Sequence, residues 1–320
     1  MDRRRPEASP QAVQARPALS LHRWLVAEAD GTFDEKKAFA LCRSLSRVRI
    51  FPSPDAFSWA DRYDGVPLLP GLVAAPLRRH VAVLGAFGRL LREIPRTEEG
   101  LRVLESWRQQ LDAVDVSVPA HPVLLALGCS IQELEIPHEP YENLIDAAVS
   151  DCAKTRCATE SDLMEHCRLS ANSVGRIILM IHGYKDPELL KMSDDIFTAF
   201  RMTTYLRNVK RDLDRDRVFL PQEDFREFGY TEADLRMGVV NERFRNLMKD
   251  RWKKTRALYE SGKPLIRKIQ WPLSWQIKLK WLRGNLLLRK IRRYGFDTLH
   301  SQPSLKKWDW PRLIGGVLLP

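Results

Sequence analysis

The strongest constraint in this chain is the spacing of its apolar residues, which recur every three to four positions in segment after segment, as in APLRRHVAVLGAFGRLLRE (75–93). A side chain returns to the same face after about 3.6 residues in a helix and after two in a strand, so this period selects helices. Nowhere does polar–apolar alternation run long enough for a useful strand. FDEKKAFALCRSLSRV (33–48) is a first helix, and the two prolines of IFPSPDAFSW (50–59) end it. The helix of 75–93 must stop by Pro95, whose ring and missing N–H cannot continue it. TEEGLRVLESWRQQLDAV (97–114) and HPVLLALGCSIQELE (121–135) follow, then PYENLIDAAVSDCAKTRCAT (140–159) and TESDLMEHCRLSANSVGRIILMIHG (159–183). Thr159 and Asp162 have the spacing of a capping box, and Gly183 stands where a C-cap belongs. A long helix begins near Pro187, RDRVFLPQEDFREFGY (215–230) reads as loop and turn, and at least two basic helices complete the chain. The expectation is an all-α bundle in a single domain at 21–312, preceded by a disordered Arg/Pro-rich arm at 1–20 and followed by a tail at 313–320.

At 320 residues and 44% hydrophobic content the chain can bury a sizeable core and enclose a pocket. It has no run of about 18 apolar residues, and its opening lacks the apolar centre of a secretory signal, so the reading is cytoplasmic. Five scattered cysteines fit reduced, mostly buried thiols, and the spacing of Cys152, Cys157, His166 and Cys167 matches no compact zinc pattern. The net charge of +11 is uneven: 251–293 holds Glu260 as its only acid, with Trp252, Trp271, Trp275 and Trp281 interleaved. Such a stretch suits a solvated helix face or peripheral contact with an anionic membrane, and nucleic acid is the weakest of its readings. The seven histidines form no HExxH, and no Cys/His pair has an orienting acid, which argues against hydrolases. DLDRDR (212–217) lacks the glycine and terminal glutamate of an EF-hand.

Two segments carry more than helical pattern. CAKTRCATESDLMEHCRLSANSVGRIIL (152–179) and FRMTTYLRNVKRDLDRDRVFLPQEDF (200–225) resemble the central and second-motif regions of the squalene/phytoene synthase family, in the order found in the bacterial hydroxysqualene synthase branch. AFGRLLREIPRTEE (86–99) falls where the family has its first acidic motif, and RYGFDTLHSQPSLKKWDW (293–310) resembles its C-terminal end. The likeness covers about residues 36–312. It implies an isoprenoid synthase-type helical bundle around a central cavity, acting on farnesyl or presqualene diphosphate in isoprenoid, squalene or hopanoid biosynthesis. It also implies Mg²⁺ held by aspartates on two facing helices, since a Lewis acid neutralises the charge that develops on a departing diphosphate.

The chain departs from that pattern where the metal would sit. The family's first-motif arginine is matched by Arg89, but its acidic positions fall on Arg92, Glu93 and Arg96, so the stripe Arg89, Arg92, Glu93 and Arg96 offers one carboxylate among three guanidiniums. In the second motif Arg201, Thr204, Arg207, Asn208 and Asp212 stand at the family's Gln, Asn, Arg, Asp and Asp. Thr204, Asn208 and Asp212 share a face, and Asp212 alone carries a charged oxygen, so it is the one candidate metal ligand. Asp212, Asn208 and Glu93 are the catalytic candidates, and Arg89, Arg92, Arg96, Arg201, Arg207 and Arg217 the diphosphate-binding ones, because guanidinium makes bidentate, charge-assisted bonds to phosphate oxygens. His166, at a family tyrosine, joins Ser170, Asn172 and Thr204 as cavity residues, and a second family tyrosine falls near Gly284 or Asn285. Lys154, Thr155, Arg156, Gly175, Arg176 and Pro221 also match, with structural readings open: close helix approach at Gly175, buried backbone satisfied by Asn172, a loop braced by Arg217. Two functions compete. One is a diverged prenyltransferase or diphosphate-eliminating enzyme; the other is a pseudoenzyme that binds lipid, regulates, or pairs with an active relative.

Overall fold

The computed structural model describes residues 35–46, 77–114 and 121–318, and every regular element among them is helical. The helices are α1 (Glu35–Ser46), α2 (Arg78–Glu93), α3 (Glu98–Asp112), α4 (Pro122–Leu134), α5 (Glu139–Ala153) and α6 (Glu160–Cys167). A π-helical turn, Arg168–Asn172, joins α6 to α7 (Ser173–Ile181), and α8 (Pro187–Arg207) and α9 (Val209–Leu213) follow. Then come α10 (Gln222–Glu227), α11 (Glu232–Arg236), α12 (Glu242–Gly262), α13 (Leu265–Lys268), α14 (Leu273–Arg293) and α15 (Trp310–Leu318). The expected arm at 1–20 and the proline break at 50–59 lie outside the described residues. None of the described helices is long and apolar enough to cross a membrane.

The predicted ends of these elements have physical causes in the structure. Thr159 accepts from Asp162 N while the Asp162 carboxylate accepts from Thr159 N, the reciprocal box that starts α6. Gly183 closes α7 at φ +84°, with Gly183 N bonded to Met180 O and Tyr184 N to Leu179 O. Asp186 caps α8 through Glu188 N and Leu189 N. The corner after α2 is compact: Thr97 N donates to Pro95 O, and Thr97 Oγ1 caps α3 from Gly100 N. A Cβ on Gly100 would lie 1.9 Å from Pro95 O, so this corner requires glycine.

Helix α8 is the axis of the bundle. Its Ile196 and Phe197 belong to a core shared with α1, α2, α4, α5 and α7, while Ala199, Phe200 and Leu206 belong to a second core with α12 and α14. Close approach of α7 to α8 rests on Gly175, the structural reading of that position: a Cβ there would meet Ser193 Oγ at 2.7 Å and Phe197 at 2.8 Å. Arg176 then clamps the two helices with a bidentate pair to Asp194.

The basic C-terminal helices differ from a uniformly solvated face. Arg251 is 2% exposed and is held by the equally buried Asp224 and by Glu160. Trp252 Nε1 donates to Leu288 O and Trp281 Nε1 to Tyr259 O, each at 2.9 Å, so these indoles point inward, whereas Trp271 is exposed. The buried Lys280 places its ammonium 4.2 Å and 4.0 Å from the ring centroids of Phe197 and Phe200 on α8. The tail expected from 313 begins inside a helix, because Leu313 of α15 packs with Leu286, Leu287 and Leu305.

Candidate functional site

The two family-like motifs meet at one end of α5. Asp151, near the C-terminus of that helix, accepts a hydrogen bond from Arg217 Nη2. The guanidinium of Arg96 lies 3.8 Å from the same carboxylate, and His166 Nε2 lies 3.9 Å from it. Arg96 comes from the corner after α2, His166 from α6, and Arg217 from the loop after α9, so three chain segments converge on one acid of a fourth.

Aromatic rings wall this point. Tyr205 of α8 stacks on Phe219, with centroids 4.0 Å apart, and His166 lies 6.2 Å and 5.7 Å from these rings. Arg217 sits 4.6 Å over the face of Phe219, and Arg201 5.8 Å from the Tyr205 centroid. A space of about 10 Å³, enough for one water, lies among Tyr205, Asp212, Arg217 and Phe219.

Asp212 adds the second carboxyl. Burial pushes its pKa up from 3.8 to about 6, although Arg217, Arg211, Arg215 and Arg207 all act to lower it. Burial depresses the Arg96 pKa, helped by the nearby Arg217 and Arg215 and opposed by Asp151. The cluster is thus five arginines, Arg96, Arg207, Arg211, Arg215 and Arg217, around Asp151 and Asp212. Such an excess of guanidinium favours a polyanion.

The other expected residues divide. The four-residue stripe of the first motif is corrected: α2 ends at Glu93 and Ile94 is extended, so Arg96 leaves the line of Arg89, Arg92 and Glu93. Arg89 donates to Glu93 at 2.9 Å on the outer surface, which makes that carboxylate the arginine's partner. In the second motif α8 ends at Arg207 with Asn208 as its cap, yet Asn208 N bonds Thr204 O and Asp212 N bonds Asn208 O, so the shared face survives the break. Asn208 Oδ1 accepts from Arg207 Nε and from Gln302 Nε2, which ties the motif to the C-terminal segment.

Three expected cavity residues are engaged within the helices. Ser170 donates to His166 O, Thr204 to Phe200 O, and Asn172 Oδ1 accepts from Thr198 rather than satisfying backbone. Arg156 grips Glu232 and Asp216, and Thr155 O accepts from Val218 N, so the KTR segment braces the loop that carries Arg217. At Gly284, one of the two positions near which the family tyrosine was expected, the hydroxyl of Tyr259 from α12 fills the space. A Cβ on Gly284 would lie 1.7 Å from it, and it is 3.2 Å from Thr203 Oγ1.

Sequence reasoning missed Asp151, Arg211, Arg215, Tyr205 and Phe219. Arg211 and Arg215 flank Asp212 at i−1 and i+3, and that spacing is the signal that could have found them. Asp151 stands three residues before Lys154 and gives no comparable signal, because its partners are distant in sequence.

The fit of this donor set to a magnesium ion is poor. Asp151 is engaged by Arg217, Asp212 is raised toward neutrality among four arginines, and no group of three or more His, Cys, Asp or Glu side chains suited to a metal occurs among the described residues.

Comparison with known proteins agrees with the fold and with the family that the sequence resembles. The squalene/phytoene synthase family profile matches residues 65–309. Phytoene synthase of Thermus thermophilus is 30% identical over 221 residues, which is 69% of this chain and 75% of that protein. Phytoene synthase of Arthrospira platensis is 27% identical over 65% of this chain and 72% of its own. Among solved structures, a squalene synthase from Alicyclobacillus acidocaldarius superposes with a TM-score of 0.72 at 28% identity, covering 84% of this chain and 99% of that one. A dehydrosqualene synthase solved with a ligand has the same fold, with a TM-score of 0.72 at 21% identity over 88% of this chain and 96% of its own. The chain belongs to the squalene/phytoene synthase family.

Proposed function

We propose that this protein binds a prenyl diphosphate, farnesyl or presqualene diphosphate, through its arginine cluster, and that guanidinium groups take the place of the family's Mg²⁺ in holding the diphosphate. The observation that carries this reading is the convergence of Arg96, Arg207, Arg211, Arg215 and Arg217 on the two carboxyls Asp151 and Asp212. Asp151 holds Arg217 and orients Arg96 before the ligand arrives, which lowers the ordering cost of binding. The space of about 10 Å³ beside Asp212 is far smaller than a diphosphate, so the anion lies on the open side of the cluster, where Arg96 and Arg215 are exposed. Arg92 extends the positive surface along α2, where Arg89 is paired with Glu93, and Arg201 extends it along α8. The aromatic wall of Tyr205, Phe219 and His166 faces the first part of the prenyl chain.

Binding without the family's magnesium ligands makes the protein a poor catalyst of allylic ionisation. Removing one well-placed electrostatic stabiliser typically costs about 10²–10³ in rate, and here most of the metal-binding carboxylates are replaced. The role that follows is a lipid-binding or regulatory subunit in isoprenoid biosynthesis, alone or paired with an active relative. One observation favours a catalytic reading: Asp212, raised by burial to about 6, keeps a protonated fraction of roughly a tenth at pH 7, and a diphosphate admitted to the space beside it would receive that proton on leaving. Incubation of the purified protein with each diphosphate, with magnesium and with excess chelator, separates the two. Bound lipid without pyrophosphate release is the expected result. Magnesium-dependent release would overturn the loss of the metal sites, and magnesium-independent release abolished by Asp212→Asn would establish the proton-transfer reading.

A further inference from the structure

Away from the arginine cluster, α14 and α15 enclose an open groove of about 430 Å³. Its floor is apolar, built from Leu282, Leu286 and Leu313, with Gly315 and Gly316 keeping one wall low. Its rim is cationic: Arg289 and Arg312 line it, and Arg293 stands one helical turn beyond Arg289. Among the described residues no carboxylate pairs with any of these three guanidiniums. The nearby Asp309 is committed to Lys290 and to Lys306 N. Like charges are therefore held together, and the Arg289 pKa is depressed first by burial and then by Arg312 and Arg293. The same C-terminal segment exposes Trp308 at 71% and Ile314 at 53%, two of the most exposed large hydrophobic side chains among the described residues.

An apolar groove with an acid-free cationic rim, in a segment that also exposes an indole, has the chemistry of a surface that meets anionic lipid headgroups with arginine and the acyl boundary with tryptophan and leucine. A protein partner is the weaker fit, because three unpaired arginines would need a matching acidic cluster, whereas an anionic membrane supplies that charge everywhere. We infer that the α14–α15 groove, with Trp308 and Ile314, docks the protein peripherally on an anionic phospholipid membrane. This surface differs from the basic 251–293 stretch as a whole, whose Trp252 and Trp281 are turned inward. It is also independent of the diphosphate reading, since it shares no residue with the arginine cluster.

The test is co-flotation of the full chain with phosphatidylcholine vesicles containing no or about 30% phosphatidylglycerol, at about 0.1 M salt. The variants are Arg289→Gln/Arg312→Gln, Trp308→Ser/Ile314→Ser, and a charge-matched control, Arg102→Gln/Arg226→Gln. All six positions are exposed, so the fold is retained, and circular dichroism checks it. Binding to the phosphatidylglycerol vesicles alone is expected, with a loss of about 10–30-fold in partitioning for the arginine pair and a clear loss for the Trp308/Ile314 pair. The control is expected to bind as the parent does. Equal binding to neutral vesicles, an equal loss in the control, or undiminished binding of the arginine pair would overturn the inference. A homodimer that dissociates in the arginine pair would overturn it too, assigning the groove to a second copy.

Discussion

Asp212 concentrates the chemistry of the site in one side chain. Four arginines act on it and each favours the carboxylate, yet burial outweighs them and leaves the group near 6. Its folded pKa is above the unfolded one, so the native state keeps a proton that the unfolded chain releases between about pH 4 and 6. Stability therefore falls as pH rises through that interval, and the deficit is complete above it. Asp212→Asn removes the deficit and is expected to stabilise the protein by about 1–3 kcal/mol at pH 7.5 and by no more than about 0.5 kcal/mol at pH 4, read from urea unfolding at both values. Destabilisation at pH 7.5 would mean that Asp212 is held by its arginines more strongly than burial opposes it. Asp212 and Arg217 were legible in the sequence because they stand in long ordered matches. Asp151 was not, because the partners that give it a role, Arg217 and Arg96, are brought to it only by the fold.

The helices themselves were legible where local chemistry decides them. The Thr159/Asp162 box, the proline stop at Pro95 and the left-handed Gly183 each act within a few residues, so pattern alone locates them. What pattern could not give was direction. Arg96 has the heptad spacing of Arg89, but the chain has left the helix by then, and Gly100 packs against Pro95 O to set a new course toward Asp151. Likewise Trp252 and Trp281 sit among basic residues and still face inward, because each indole N–H finds a backbone carbonyl. The capping box gives a direct check at this scale. Thr159→Ala is expected to cost about 1 kcal/mol in chemical unfolding, and an unchanged midpoint would show that α6 is held by packing alone.

Across the whole molecule, α8 joins two cores, and the buried Arg251 links the second of them to α6 and α10 through Glu160 and Asp224. An ion pair this deep is strongly coupled: removing one partner strands the other in a low-dielectric interior. Asp224→Asn is therefore expected to destabilise the fold by about 3–5 kcal/mol in equilibrium unfolding, several times the effect of an exposed pair such as Arg89–Glu93. A loss below about 1 kcal/mol would mean that Glu160 alone satisfies Arg251. The same architecture sets the arginine cluster at the junction of α5, α6 and α8. The most direct measurement of its role is calorimetric titration of farnesyl diphosphate into the protein in excess chelator, repeated with magnesium and with Arg96→Gln/Arg217→Gln. Affinity that magnesium changes by less than about threefold, and that the double variant lowers by about tenfold or more, is the predicted result. Binding that appears only with magnesium, or that survives loss of both arginines, would contradict it.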